Sequence, residues 1–193
     1  AEGYISRVKV SPRGYGNAVY ITHPNGYVSV YAHLSKFGKK IEDYVYRTQH
    51  ERQLFEIDDY LYPGTYPVEA GEIIGKSGNT GRSYAPHLHF EIRDEITEEP
   101  INPLYFGLKF PDNQPPKFEG LYLYAFAKGM ENHKHISTTA FKPMNGQTIS
   151  AFGTIGLGVE IHDYMMKGGA RFGTYSLEMY INNVLKFAYK MER

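Results

Sequence analysis

The sequence has no cysteine among its 193 residues, which excludes disulfide bonds, thiolate catalysis and cysteine zinc sites. Its 21 basic and 21 acidic residues cancel, so charge gives no reason to expect binding to nucleic acid or an acidic membrane surface. No apolar run reaches the roughly 20 residues that span a bilayer, and the first residues given do not have the pattern of a signal peptide.

Short alternating apolar and polar segments, separated by the 20 glycines and 11 prolines, predict a mostly β protein. The first strand patterns cover residues 3–10, 18–23 and 27–31. Asn25-Gly26 between the last two is typical of a type I′ hairpin turn. Because the alternation begins at once, we expect that the sequence starts part-way through a longer protein.

The most informative stretch is a glycine-rich loop, residues 77–83, followed by a strand pattern that contains His87 and His89. A strand has a side-chain period of two, so both histidines are predicted on one face, with Leu88 and Phe90 pointing into a core. At this spacing one imidazole can bind a metal while the other reaches a ligand of that metal. The alternative is a pair of half-buried strand histidines with no metal.

Five further residues are candidates for the same site. His33 follows the end of the third strand pattern, where site residues often lie, although a capping or core role is the alternative. Tyr15 and Asn17 lie in the preceding turn and are candidates for a substrate groove, with a simple turn role equally compatible. Asn79 and Thr80 in the glycine-rich loop are candidates for substrate binding.

Two blocks of the sequence resemble the lysostaphin-like, LytM-type zinc metalloendopeptidases, which cut peptide bonds in peptidoglycan. They read G-Y-G-N-x-V-x-I-x-H-x-N-G-x-x-x-x-Y-A-H-L and G-N-T-G-R-S-x-x-P-H-L-H-F-E-I-R. The resemblance implies a Zn²⁺ cofactor with His89 as a ligand, His87 as general base, and His33 orienting water or steadying the oxyanion.

The same resemblance implies two further ligands in an H-x-x-x-D block upstream of the first strand. No histidine of this sequence has aspartate four residues later. Either the block lies before residue 1, which is our expectation, or the domain has lost its metal ligands.

The resemblance also implies a domain organisation. Residues 1–110 are predicted to form a LytM-type antiparallel β-sheet or barrel-like peptidase domain, with an insertion at about 36–67 that contains a short helix over 41–53. Residues 111–118 read as a linker, and residues 119–193 as a small β-sandwich-like domain that is incomplete. The His133-Lys134-His135 repeat lacks a glycine-rich loop and is assigned to a polar loop without metal.

The leading functional hypothesis is a zinc endopeptidase that hydrolyses peptidoglycan stem or cross-bridge peptides in the cell envelope, periplasmic or secreted. The alternative is a catalytically degenerate LytM-like module that docks to the wall or to another hydrolase. A structural surface protein is a third class. The sequence does not identify a regulatory protein partner.

Overall fold

The computed structural model describes residues 2–127, 135–165, 169 and 171–192. The chain forms two compact units, Ala1–Leu108 with Glu192–Arg193, and Lys109–Met191. Within the described ranges, neither helix is both long and apolar enough to cross a membrane.

The strands of the first unit are β1 (Gly3–Val10), β2 (Ala18–Thr22), β3 (Tyr27–Ala32), β4 (Lys36–Phe37), β5 (Ile57–Tyr60), β6 (Pro67–Val68), β7 (Gly75–Lys76), β8 (His89–Asp94) and β9 (Pro100–Ile101). In the described part of this unit, seven of them form a sheet with antiparallel pairing, in the order β5-β1-β2-β3-β8-β9, with β6 also paired to β1. A short β4–β7 pair lies outside that sheet. The helices are α1 (Lys39–Arg52) and a 3₁₀ turn (Pro103–Phe106). The predicted mostly β, antiparallel fold class is confirmed.

One face of this sheet packs against α1 and forms the main core. Ile41, Val45 and Thr48 are spaced three and four residues apart, so they share the buried side of the helix. Helix α1 ends at Arg52, and the capping residue that follows, Gln53, adopts a left-handed conformation with φ of 52°. The buried core residues are Ile5, Val8, Val10, Val19, Ile21, Leu34, Phe37, Ile41, Val45, Ile57 and Val68. The segment 36–67 therefore contributes residues to the main core.

The opposite face of the same sheet carries the polar residues of β8. His89 pairs with Ala32, and Glu91 pairs with Val30, which in turn pairs with Tyr20. Residues paired directly across antiparallel strands project to the same face. His89 and Glu91 therefore lie on the face of the sheet opposite to the one that packs against α1.

Two glycines bring the glycine-rich loop against the turn that precedes β2. A Cβ atom added to Gly16 would lie 2.4 Å from the carbonyl carbon of Thr80, and one added to Gly81 would lie 2.3 Å from the Gly16 nitrogen. Both glycines also have positive φ, +64° and +73°. Only glycine satisfies both requirements, so these positions lock the two loops together.

We expect Gly16→Ala to destabilise the protein much more than Gly14→Ala, the matched control. Gly14 has a φ of +57° with nothing within 4 Å of an added Cβ, so its substitution should cost only the left-handed penalty, about 1 kcal/mol. Gly16→Ala adds a backbone clash, and we expect roughly 3 kcal/mol. Urea unfolding measures both variants, and equal losses would show that the loop contact contributes nothing.

The second unit is also antiparallel. Its strands are β10 (Lys117–Phe126), β11 (His135–Phe141), β12 (Thr154–His162), β13 (Ser176–Ile181) and β14 (Val184–Lys190). The described strands form a three-stranded sheet, β11-β10-β12, and a β13–β14 hairpin. Asn182 and Asn183 both have positive φ, which confirms the predicted turn. The β-sandwich arrangement and the domain boundaries stay predictions.

His135 begins β11, and its Nε2 lies 2.8 Å from the Thr138 hydroxyl. Its predicted place in a polar loop is therefore wrong, because the pairing of β11 with β10 extends to this residue. His133 and Lys134 of the same repeat lie outside the described residues.

Candidate active site

The strand that contains the second histidine of the His-x-His segment begins later than the alternating pattern predicts. Strand β8 begins at His89, whereas His87 makes an isolated bridge to Gly78, donating its backbone N–H to the glycine carbonyl at 3.0 Å. Leu88 is 48% exposed, so its predicted place in a core is wrong. It precedes the β3–β8 ladder, and no layer covers it there.

His33 is buried, with 5% exposure, and has a φ of 58°. This left-handed conformation costs a residue with a side chain roughly 1 kcal/mol or more. Its backbone N–H donates to the Tyr15 carbonyl at 2.9 Å, and its Nδ1 lies 2.8 Å from the Thr80 carbonyl. These two bonds hold the turn that directs the ring toward the other histidines.

The three histidine rings converge, as the sequence predicts. The His33 centroid lies 4.8 Å from that of His87 and 5.5 Å from that of His89. One ring nitrogen from each residue lies within 4.8 Å of the other two. The catalytic and metal-binding roles of the three residues stay predictions.

Hydrogen bonds determine which nitrogen each ring presents. Carbonyl and carboxylate oxygens only accept, so a nitrogen bonded to one carries the proton. His33 donates from Nδ1 to Thr80, and His87 from Nδ1 to the Ala85 carbonyl at 2.8 Å. His89 donates from Nε2 to Glu91 at 2.5 Å. Neutral His33 and His87 therefore present Nε2 as an acceptor, whereas His89 presents Nδ1.

Glu91 is the centre of a hydrogen-bonded group behind His89. It accepts from the Tyr15 hydroxyl at 2.6 Å and from Arg93 Nε at 2.7 Å, as well as from His89. Burial raises the pKa of the Glu91 carboxyl, but the hydrogen bonds from Tyr15, His89 and Arg93 together outweigh it and leave the pKa below its ordinary value. Burial and then the bond to Glu91 raise the pKa of Tyr15 to about 12. At neutral pH, Glu91 is therefore an anion and Tyr15 a donor.

Sequence reasoning did not assign a role to Glu91. The signal was present, because Glu91 follows His89 by two residues and so shares its face of β8. Its contact with Tyr15, 76 positions away in the chain, appears only in the fold.

The four predicted substrate-binding residues are not brought together. Tyr15 lines a cavity of about 520 Å³ with His33 and His89. Asn17 and Thr80 line a different cavity of about 410 Å³, beside α1. The Thr80 hydroxyl is occupied between the Leu34 carbonyl and the Asn17 N–H. Asn79 is exposed and lines neither cavity. The substrate-binding role of each stays a prediction.

The donor set fits a zinc ion. Imidazole nitrogens are among the ligands that zinc prefers, and three of them lie together here. Metal-binding histidines commonly donate their other ring N–H to a carboxylate or carbonyl, and each of the three does so. Within the described residues, these three histidines form a group that could hold a metal ion.

Removal of the Glu91 carboxylate should release the tautomer of His89. In Glu91→Ala we expect ¹⁵N NMR of the metal-free protein to show a mixture of His89 tautomers, and zinc affinity to fall roughly 10- to 100-fold. Glu91→Gln keeps an acceptor oxygen and should lose less. Glu51→Ala, an exposed carboxylate variant on α1, is the control. An unchanged His89 spectrum in Glu91→Ala would contradict this assignment.

Comparison with known proteins identifies the family. The profile of Peptidase family M23 matches residues 1–50 and 61–103. The first 103 residues of this chain therefore carry a Peptidase family M23 domain, and the resemblance to lysostaphin-like, LytM-type enzymes is confirmed. Of the predicted insertion, the profile leaves residues 51–60 unmatched.

Three curated relatives share this region. DD-carboxypeptidase/endopeptidase Mpg of Neisseria meningitidis serogroup B is 38% identical over 112 residues, 58% of this chain and 20% of Mpg. Peptidoglycan DD-endopeptidase ShyA of Vibrio cholerae is 32% identical over 102 residues, 53% of this chain and 18% of ShyA. Lysostaphin of Staphylococcus simulans is 35% identical over 92 residues, 47% of this chain and 14% of lysostaphin. The chain thus spans a fifth or less of the length of these relatives.

Among solved structures, a zinc containing peptidase from Vibrio cholerae is 27% identical to this chain. The match covers 52% of this chain and 23% of that protein, with a TM-score of 0.36.

Proposed function

We propose that this domain is the catalytic part of a zinc metalloendopeptidase that hydrolyses peptide cross-links of bacterial peptidoglycan. The observation that carries the proposal is the convergence of His33, His87 and His89, each with one ring nitrogen held by a fixed acceptor. The M23 domain and the names of the relatives Mpg and ShyA support the reaction and the substrate.

Each histidine has a distinct task in this proposal. His87 accepts the proton of the attacking water at Nε2, because its Nδ1–H is already committed to Ala85. Neutral His33 accepts a hydrogen bond at Nε2 from that water and so orients it, and the proton taken up by His87 passes to the leaving amine as the peptide bond breaks. His89 would hold zinc through Nδ1, with Glu91 behind it. When bound, zinc supplies a Lewis acid that activates water and polarises the scissile carbonyl.

We also propose where the protein works and what it contacts. An enzyme with this substrate works in the cell envelope, either in the periplasm or after secretion. The molecules that it binds are stem or cross-bridge peptides. We further propose that the segment 36–67 is an insertion that shapes one side of the substrate groove, since its residues Phe37 and Tyr46 line a cavity together with Asn17 and Thr80.

The test is hydrolysis of purified peptidoglycan by the zinc-loaded full-length protein, with products identified by mass spectrometry. We expect new peptide termini, their loss on treatment with a chelator, and recovery when zinc is returned. Intact peptidoglycan in the presence of stoichiometric zinc would reject the enzymatic proposal.

The second candidate is a LytM-like module that docks to the wall or to another hydrolase without cleaving. The absence of an H-x-x-x-D block from these 193 residues favours it, if no such block accompanies them in the full-length protein. Tight binding to peptidoglycan without cleavage or zinc would support the module over the enzyme.

A further inference from the structure

The cavity that contains His33 and His89 is lined by basic residues. Lys9, Arg13 and Arg82 contribute to its walls, and none of its lining residues is acidic. The whole sequence has no net charge, so this excess is local. An excess of positive charge beside the histidines favours a ligand with negative charge.

Lys9 already has an anionic partner, Asp58, which it shares with Arg7. Its Nζ lies 2.8 Å from a carboxylate oxygen of Asp58. In contrast, Arg13 and Arg82 are exposed, and neither forms an ion pair with any residue that the structure describes. Their guanidinium groups therefore remain available to a ligand.

The backbone holds these two arginines on adjoining loops. Arg82 donates its N–H to the carbonyl of Gly14, the residue after Arg13, at 2.9 Å. The close approach of Gly16 and Gly81 fastens the same loops. Two guanidinium groups on one fastened wall can bind a carboxylate with paired N–H donors, the geometry that arginine matches best.

The carboxylates near this wall have other partners. Glu91 accepts from Tyr15, His89 and Arg93. Glu56 accepts from the Ser11 hydroxyl at 3.1 Å and is not part of the cavity lining. Neither carboxylate is paired with the two arginines.

We infer that Arg13 and Arg82 form a carboxylate-binding subsite beside the three histidines, which selects peptides with a free carboxylate next to the scissile bond. This inference rests on the proposed peptidase function and specifies its substrate. The carboxylate can be the C-terminus of a peptide or an acidic side chain, and the same chemistry recognises both.

The experiment compares matched peptides on the zinc-loaded full-length protein. One pair differs only in a C-terminal carboxylate or amide, and a second pair only in a glutamate or glutamine next to the scissile bond. Kd from fluorescence anisotropy and kcat/KM are measured for each. We expect about a 10-fold preference for the carboxylate in at least one pair, decreasing with added salt. The pair that shows it identifies the source of the carboxylate.

The preference should decrease to about 1 in the double variant Arg13→Gln/Arg82→Gln, mainly through Kd and KM. Arg47→Gln, an exposed arginine variant on α1, should keep it. Equal Kd and kcat/KM for both members of both pairs in the wild type would overturn the subsite, and this comparison needs no variant to fold. Failure to cleave peptidoglycan would count against the proposed function instead, while the Kd comparison would still decide the subsite.

Discussion

Replacement of His89 by alanine in the zinc-loaded full-length protein is expected to abolish stoichiometric zinc binding. His89 is the histidine whose free nitrogen, Nδ1, is directed by an anionic partner, because Glu91 holds its Nε2–H at 2.5 Å. A carboxylate behind a ligating imidazole increases its basicity and fixes its orientation. Loss of the imidazole removes the ligand itself, and the Glu91 carboxylate then has no imidazole to orient.

Metal analysis of the purified variant checks this prediction. His50→Ala is the matched control, since His50 is exposed on α1, away from the cavity that His33 and His89 line. The centroid of its ring lies 4.3 Å from that of the Tyr46 ring. This control variant should keep full zinc occupancy. Stoichiometric zinc in the His89 variant would remove this residue from the ligand set.

Replacement of His87 by alanine should give the opposite pattern, with the metal retained and the activity lost. The His87 ring is held at Nδ1 by Ala85 and by Ser83 at 3.2 Å, so Nε2 is poised as a base. General-base catalysis is typically worth about 10²- to 10⁴-fold. We therefore expect a decrease of that size in the turnover of purified peptidoglycan.

Zinc content and turnover are measured on the same preparation of this variant. Loss of zinc would mean that His87 is itself a ligand. Near-normal turnover with zinc retained would exclude His87 as the general base.

The motifs indicate which histidines lie together, but they do not predict which side chains line the walls around them. The His-x-His segment and the histidine after β3 are recognisable in the sequence, and their rings do converge. The substrate-binding candidates rest on turn and loop composition alone, and the structure separates them: Tyr15 lines the histidine cavity, whereas Asn17 lines another. Loop composition does not determine which wall a side chain faces.

Local sequence patterns are sufficient to explain several elements of the fold. Alternation with a period of two produced the strands and placed His89 and Glu91 on one face, and helical spacing buried Ile41 and Val45 on one side of α1. The chemistry of asparagine in tight turns predicted the β13–β14 hairpin. The absence of cysteine left imidazole and carboxylate as the main metal donors.

The contacts between these elements depend on the packing of the whole domain. It set the starting point of the β3–β8 ladder, which left Leu88 exposed. It also joined Tyr15 to Glu91 and His33 to Thr80, contacts between residues 76 and 47 positions apart. A hydrogen bond between distant segments depends on the register of several strands at once. The tautomer of His33 follows from such a bond, to the Thr80 carbonyl, so it could not be derived from local pattern alone.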